Sequence, residues 1–115
     1  MIQTIFGKKR VRNISQSDAR SRLARGGNIF LLDVRTPEEY RELHIPNSIS
    51  LPLDQLKSEI EKVTDDKDAE ILVYCRSGAR AATACRQLAS MGYTSVFNMG
   101  GILSWKYETE RGIQS

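Results

Sequence analysis

A chain of 115 residues with 40% hydrophobic and 27% charged side chains has the size and mixture of one compact domain, which excludes a disordered tail, a fibre and a two-domain enzyme. Its two cysteines are too few for a disulfide scaffold, and no apolar run approaches the roughly 20 residues that span a bilayer. The net charge of +3 hides an asymmetry: up to Arg25 the cations are Lys8, Lys9, Arg10, Arg12, Arg20, Arg22 and Arg25, opposed only by Asp18, while the remainder is mildly acidic.

The chain starts with a short apolar stretch ahead of its charges, the reverse of a secretory leader, so a soluble protein in a reducing, cytoplasmic setting with no membrane partner is expected. Residues 1–12 read as a basic extension and 13–115 as the folded domain. A basic segment can steer an acidic partner, but no aromatic residues of the kind that stack on bases are interleaved with it, and no nucleic-acid partner is expected. Ser15 with Asp18 marks a helix start, since the Ser15 hydroxyl can accept from an early backbone N–H and an acid suits the positive helix end. Gly26-Gly27 stops that helix, and the unbroken apolar run Ile29–Leu32 predicts a strand buried on both faces, ending at Asp33.

Thr36-Pro37-Glu38-Glu39 supplies a capping hydroxyl, a proline for the first helical position and acids for the first turn, predicting a short helix through Leu43. His44-Ile45-Pro46-Asn47 interrupts the pattern, and Ser48–Leu51 reads as a short strand before Pro52. A helix is expected from near Asp54, with Leu53, Leu56, Ile60 and Val63 as its apolar stripe. Ile71–Tyr74 is the next buried strand, followed by the loop Cys75–Ala79 and a helix from about Arg80 to Met91. Gly92 stops it. Ser95–Asn98 gives a last strand, and Gly100-Gly101 with Ile102–Tyr107 a closing turn and helix. Alternating strands and helices predict an α/β fold with a mostly parallel sheet covered on both faces, whose loops at the strand ends carry the chemistry.

Those loops include Cys75-Arg76-Ser77-Gly78-Ala79-Arg80, set between an apolar strand and a helix. Small residues at a helix N-terminus turn successive backbone N–H groups toward one point and make an anion-binding nest. The same nest, with Arg76 and Arg80 close in sequence, favours the nucleophilic thiolate of Cys75. Taken alone, Cys75 would read as a small apolar side chain closing a strand; its position at a strand end, ahead of Ser77-Gly78 and a helix start, is what points to catalysis. Cys85 lies among Ala81, Ala82, Ala84 and Leu88 inside the helix and reads as packing, with a resolving partner for Cys75 as the lesser alternative.

Several of these segments together resemble the rhodanese family, over about residues 13–107. Leu32–Tyr40 is similar to the family's first signature, His44–Ile49 to the segment after it, Val73–Gly78 to the active loop and Gly100–Trp105 to the closing signature. Asn47 departs from the family's usual glycine, and asparagine tolerates the left-handed backbone better than most residues. The resemblance implies a rhodanese-like domain in which Cys75 carries sulfur as a persulfide, the backbone amides of Arg76, Ser77, Gly78, Ala79 and Arg80 surround it, and Asp33, Arg35 and His44 support the loops. It implies a small sulfur donor such as thiosulfate, a thiol, protein or cyanide acceptor, and no metal or organic cofactor. Two alternatives stand beside it: a binding module on the same fold, and a cysteine phosphatase. The phosphatase is disfavoured because such enzymes close the loop with five residues between cysteine and arginine, whereas Arg76-Ser77-Gly78-Ala79 leaves four here.

Overall fold

The strand and helix pattern assembles, over residues 11–112 described by the computed structural model, into one parallel sheet with helices on both faces. In chain order the elements are β1 (Val11–Asn13), α1 (Gln16–Arg25), β2 (Ile29–Asp33), α2 (Pro37–Glu42), β3 (Ile49–Ser50), a 3-10 turn (Leu53–Gln55), α3 (Leu56–Val63), β4 (Glu70–Cys75), α4 (Ala79–Ser90), β5 (Ser95–Gly101) and a closing 3-10 turn (Ile102–Ser104). The sheet runs β1-β5-β4-β2-β3, and every neighbouring pair is parallel. β4 lies at its centre, as its apolar composition demands.

Alternation along the strands divides the core. Leu32, Ile71, Val73 and Val96 pack with Leu56 and Ile60 of α3 and with Ala81, Ala84, Cys85 and Leu88 of α4. Leu31, Leu72, Tyr74, Phe97 and Met99 pack on the opposite face with Ala19 of α1 and, at its margin, Leu23. The expected stripe of α3 holds, with Leu56 and Ile60 fully buried and Leu53 and Val63 half-buried against the same cluster.

The helix starts are capped as their residues dictate. Ser15 Oγ accepts from the Asp18 N–H at 3.1 Å, and Thr36 with Glu39 forms a reciprocal capping box. Asn47 has φ +68°, the sole positive value outside glycine among the described residues, so it occupies the left-handed conformation that asparagine tolerates.

Four boundaries differ from expectation. Val11 and Arg12, placed in the extension by sequence, form β1 with Asn13 and pair with β5; Lys8, Lys9 and Arg10 lie outside the described residues. The strand over Ser48–Leu51 contracts to Ile49–Ser50, and the helix expected from Asp54 starts as a 3-10 turn and becomes α-helical at Leu56. The closing helix over Ile102–Tyr107 is a single turn, because the chain becomes extended at Trp105 (ψ 124°). Trp105 then packs against the α1-side core, and its indole N–H donates to the Glu108 carbonyl at 2.9 Å.

Candidate active site

Because the strands are parallel, β2, β4 and β5 end at one edge of the sheet, where register sets Cys75 opposite Gly101 and Asp33 opposite Tyr74. Cys75 is the last residue of β4 and is buried. Its Sγ accepts from the Gly78 N–H at 3.0 Å and from the Ala81 N–H at 3.4 Å. The first turn of a helix has no carbonyls behind its N–H groups, which is why the Ala81 amide is available to the sulfur. Gly78 caps α4 with φ +117°, a conformation that glycine adopts at little cost. Of the amides expected around the sulfur, that of Gly78 reaches Sγ; those of Arg76, Ser77, Ala79 and Arg80 make no hydrogen bond to it among the described residues. Ala81 joins the set, one residue beyond the stretch that the sequence singles out.

The end of β5 braces the loop from below. A Cβ at Gly101 would overlap the carbonyl oxygen of Arg76 and crowd the Cα of Ser77. The Leu103 N–H donates to that same Arg76 carbonyl at 3.2 Å. Gln16, at the start of α1, holds this strand end from the other side, donating through Nε2 to the carbonyls of Met99 and Gly101, each at 2.9 Å. Nothing in the local sequence around Gln16 announces this contact, which spans more than 80 residues of chain.

The two arginines of the loop differ. Arg76 is exposed, and its guanidinium has no ion-pair partner among the described residues. Arg80, expected to act on the Cys75 thiolate, is paired with Glu39, with Nη1 to Oε1 at 2.8 Å and Nη2 to Oε2 at 3.1 Å, and also interacts electrostatically with Cys75. Glu39 also accepts from the Thr36 N–H at 2.9 Å, so one carboxylate caps α2 and ties it to α4. The hydrogen-bond donors that reach the sulfur are backbone N–H groups.

The hydrogen bonds from Arg80 hold the Glu39 carboxyl down to about 2 from an ordinary 4.5. A depressed folded-state value means that the contribution to stability is complete above the ordinary carboxylate range and is lost as pH falls toward the folded value. Glu39→Gln should thus melt below wild type at about pH 7, with the gap narrowing by about pH 3. A gap independent of pH in thermal melts would contradict the pairing.

Asp33 and Arg35 form a buried pair beneath this edge. Arg35 Nε and Nη2 donate to Asp33 Oδ1 and Oδ2 at 3.0 and 2.7 Å, the Arg35 backbone N–H donates to Oδ1 at 2.9 Å, and Nη2 also reaches the Leu43 carbonyl at 2.6 Å. The guanidinium lies 5.7 Å from the Tyr74 ring centroid. Burial pushes the Tyr74 phenol up, and its oxygen accepts from the Ile45 N–H while its hydroxyl donates to Ser48. Breaking a buried pair on one side costs about 3–5 kcal/mol, so Asp33→Asn should lose stability on that scale in urea unfolding; a loss within error of zero would deny the pair its structural role.

His44 is fully buried. Its Nδ1 contacts the Tyr40 carbonyl at 2.8 Å, its ring stacks on Tyr40, and its backbone bridges Glu110. These contacts pin the loop before Pro46 to the tail and do not include Cys75. Cys85 is also buried, which pushes its thiol up to about 12. No group of residues among those described could hold a metal ion.

A five-stranded parallel α/β domain with a cysteine at the end of its central strand, its sulfur facing a helix N-terminus, defines the class of protein. The rhodanese-like domain model matches residues 15–108, and the chain belongs to the rhodanese-like domain family. It is 36% identical over 96 residues to a sulfurtransferase of Allochromatium vinosum, covering 83% of this chain and 88% of that protein. It is 39% identical over 71 residues to the thiosulfate sulfurtransferase PspE of Escherichia coli, covering 62% and 68%. A solved rhodanese with anions from E. coli superposes with a TM-score of 0.70 at 34% identity, over 73% of this chain and 99% of that one.

Proposed function

We propose that the protein is a thiosulfate sulfurtransferase that carries sulfur on Cys75. The observation that carries this reading is the Cys75 Sγ at the N-terminus of α4, with the Gly78 and Ala81 N–H groups directed at it. Charge on sulfur there is met by fixed donors in a water-poor setting, the arrangement that stabilises a thiolate and a persulfide anion. The Cys75 thiolate attacks the sulfane sulfur of thiosulfate; a sulfur–sulfur bond forms, the one in thiosulfate breaks, and sulfite departs with the electron pair. The outer persulfide sulfur extends toward the amides of Arg76, Ser77, Ala79 and Arg80. Cyanide or a thiolate then attacks that sulfur, and Cys75 leaves as thiolate, completing a covalent cycle that needs no metal or organic cofactor.

Arg76 attracts the anionic donor, while Asp33, Arg35 and His44 act by holding the loops at the sheet edge. A reducing compartment such as the cytoplasm suits the cycle, because it keeps Cys75 free and supplies thiol acceptors. The commitment of Arg80 to Glu39 counts against a phosphatase, in which the loop arginine must be free to grip the phosphoryl group. Parallel assays with thiosulfate plus cyanide and with an aryl phosphate test the reading. Thiocyanate formation without phosphate release is expected, and phosphate release dependent on Cys75 and exceeding sulfur transfer would overturn it. Retention of most activity by Cys85→Ala is the matching expectation for the buried thiol.

A further inference from the structure

Leu103 is 64% exposed, the most exposed of the large hydrophobic residues on the described surface. It stands on the closing 3-10 turn, and its backbone N–H meets the Arg76 carbonyl at 3.2 Å, which puts it beside the loop that holds Cys75. Beside it Arg76 is exposed, with no ion pair among the described residues. Arg80 offers no comparable charge, since Glu39 neutralises it. An exposed leucine does nothing for thiosulfate, a small anion that seeks only charge and N–H donors, and exposed leucine has a hydration cost that burial against a partner would remove.

Resting on the reading of Cys75 as the sulfur carrier, we infer that the rim of Leu103 and Arg76 is the docking surface for a protein acceptor whose receiving cysteine is flanked by apolar and acidic side chains. Leu103 contributes apolar contact that forms only with a macromolecular acceptor, and the Arg76 cation selects its acids and speeds encounter. Small nucleophiles such as cyanide reach the persulfide without touching Leu103.

The test uses full-length protein loaded with thiosulfate, loading being read first by intact mass, and three peptide acceptors: Glu-Leu-Cys-Leu-Glu, Lys-Leu-Cys-Leu-Lys and Glu-Ser-Cys-Ser-Glu. The first should take sulfur about tenfold faster than either of the others at low salt. Leu103→Ser, at a position already exposed, should lower the ratio of peptide transfer to cyanide transfer about fivefold, and Arg76→Glu should reverse the preference between the acidic and basic peptides. Equal rates with the three peptides, or a Leu103→Ser loss equally large with cyanide, would overturn the proposal. Failure to load would count against sulfur transfer itself, and amide shifts on the unloaded protein then decide this proposal separately. Shifts caused by the first peptide at Arg76, Ser77 and Leu103 support it, and shifts absent or confined elsewhere refute it.

Discussion

Cys75→Ser should reduce thiosulfate-dependent thiocyanate formation by at least about a thousandfold, the scale on which removal of a covalent nucleophile falls. Serine preserves the shape of the side chain and can accept from the Gly78 and Ala81 N–H groups that now meet Sγ, so the fold should lose no more than about 2 kcal/mol. The loss is chemical: a hydroxyl is not ionised near neutral pH and leaves poorly from a sulfur atom. Steady-state assay beside urea unfolding separates the two effects. Activity within tenfold of wild type, or unfolding of the variant, would mean that Cys75 has been given the wrong task.

Gly101→Ala should be the most damaging change outside the loop itself. Its new methyl group would occupy the space of the Arg76 carbonyl oxygen, and because that contact is backbone against backbone no side chain can swing aside. Either the end of β5 retreats or the loop lifts. Overpacking of this kind costs about 1–3 kcal/mol, and a displacement near 1 Å at a reacting centre costs about a hundredfold in rate. Sulfur transfer should therefore fall about a hundredfold in a protein that still melts cooperatively. An alanine variant with ordinary turnover would show that the brace under Arg76 has no part in aiming the amides.

Much of this architecture is visible in the chain because single residues fix it locally. Ser15, Thr36 and Gly26 mark helix ends through their own hydrogen-bonding and backbone preferences, and the apolar runs Ile29–Leu32 and Ile71–Tyr74 suit strands covered on both sides. What the sequence conceals depends on partners far along the chain. The residues of β1, Val11–Asn13, hold one apolar side chain and show no alternation, and become a strand by pairing with the edge of β5. Arg80 is five positions from Cys75, and nothing near it in sequence shows that Glu39 is folded against it from 41 residues away.

The closing segment is hidden for a similar reason. Ile102 and Trp105 have helical spacing, but Ile102 and the Trp105 ring both face the α1-side core, and the tail must then run back so that Glu110 can bridge His44. A continued helix would carry it away. Gln16 and Ala81 enter the site through a side-chain amide and a backbone N–H, neither of which has a sequence signature.

Sulfur loading tests the central claim most directly. The protein is incubated with thiosulfate, freed of excess reagent, and analysed by intact-protein and peptide mass spectrometry before and after cyanide. The account predicts one added sulfur atom, located on Cys75 and removed by cyanide with formation of thiocyanate. An unmodified Cys75 under conditions that load a known rhodanese, or a sulfur found only on Cys85, would contradict it.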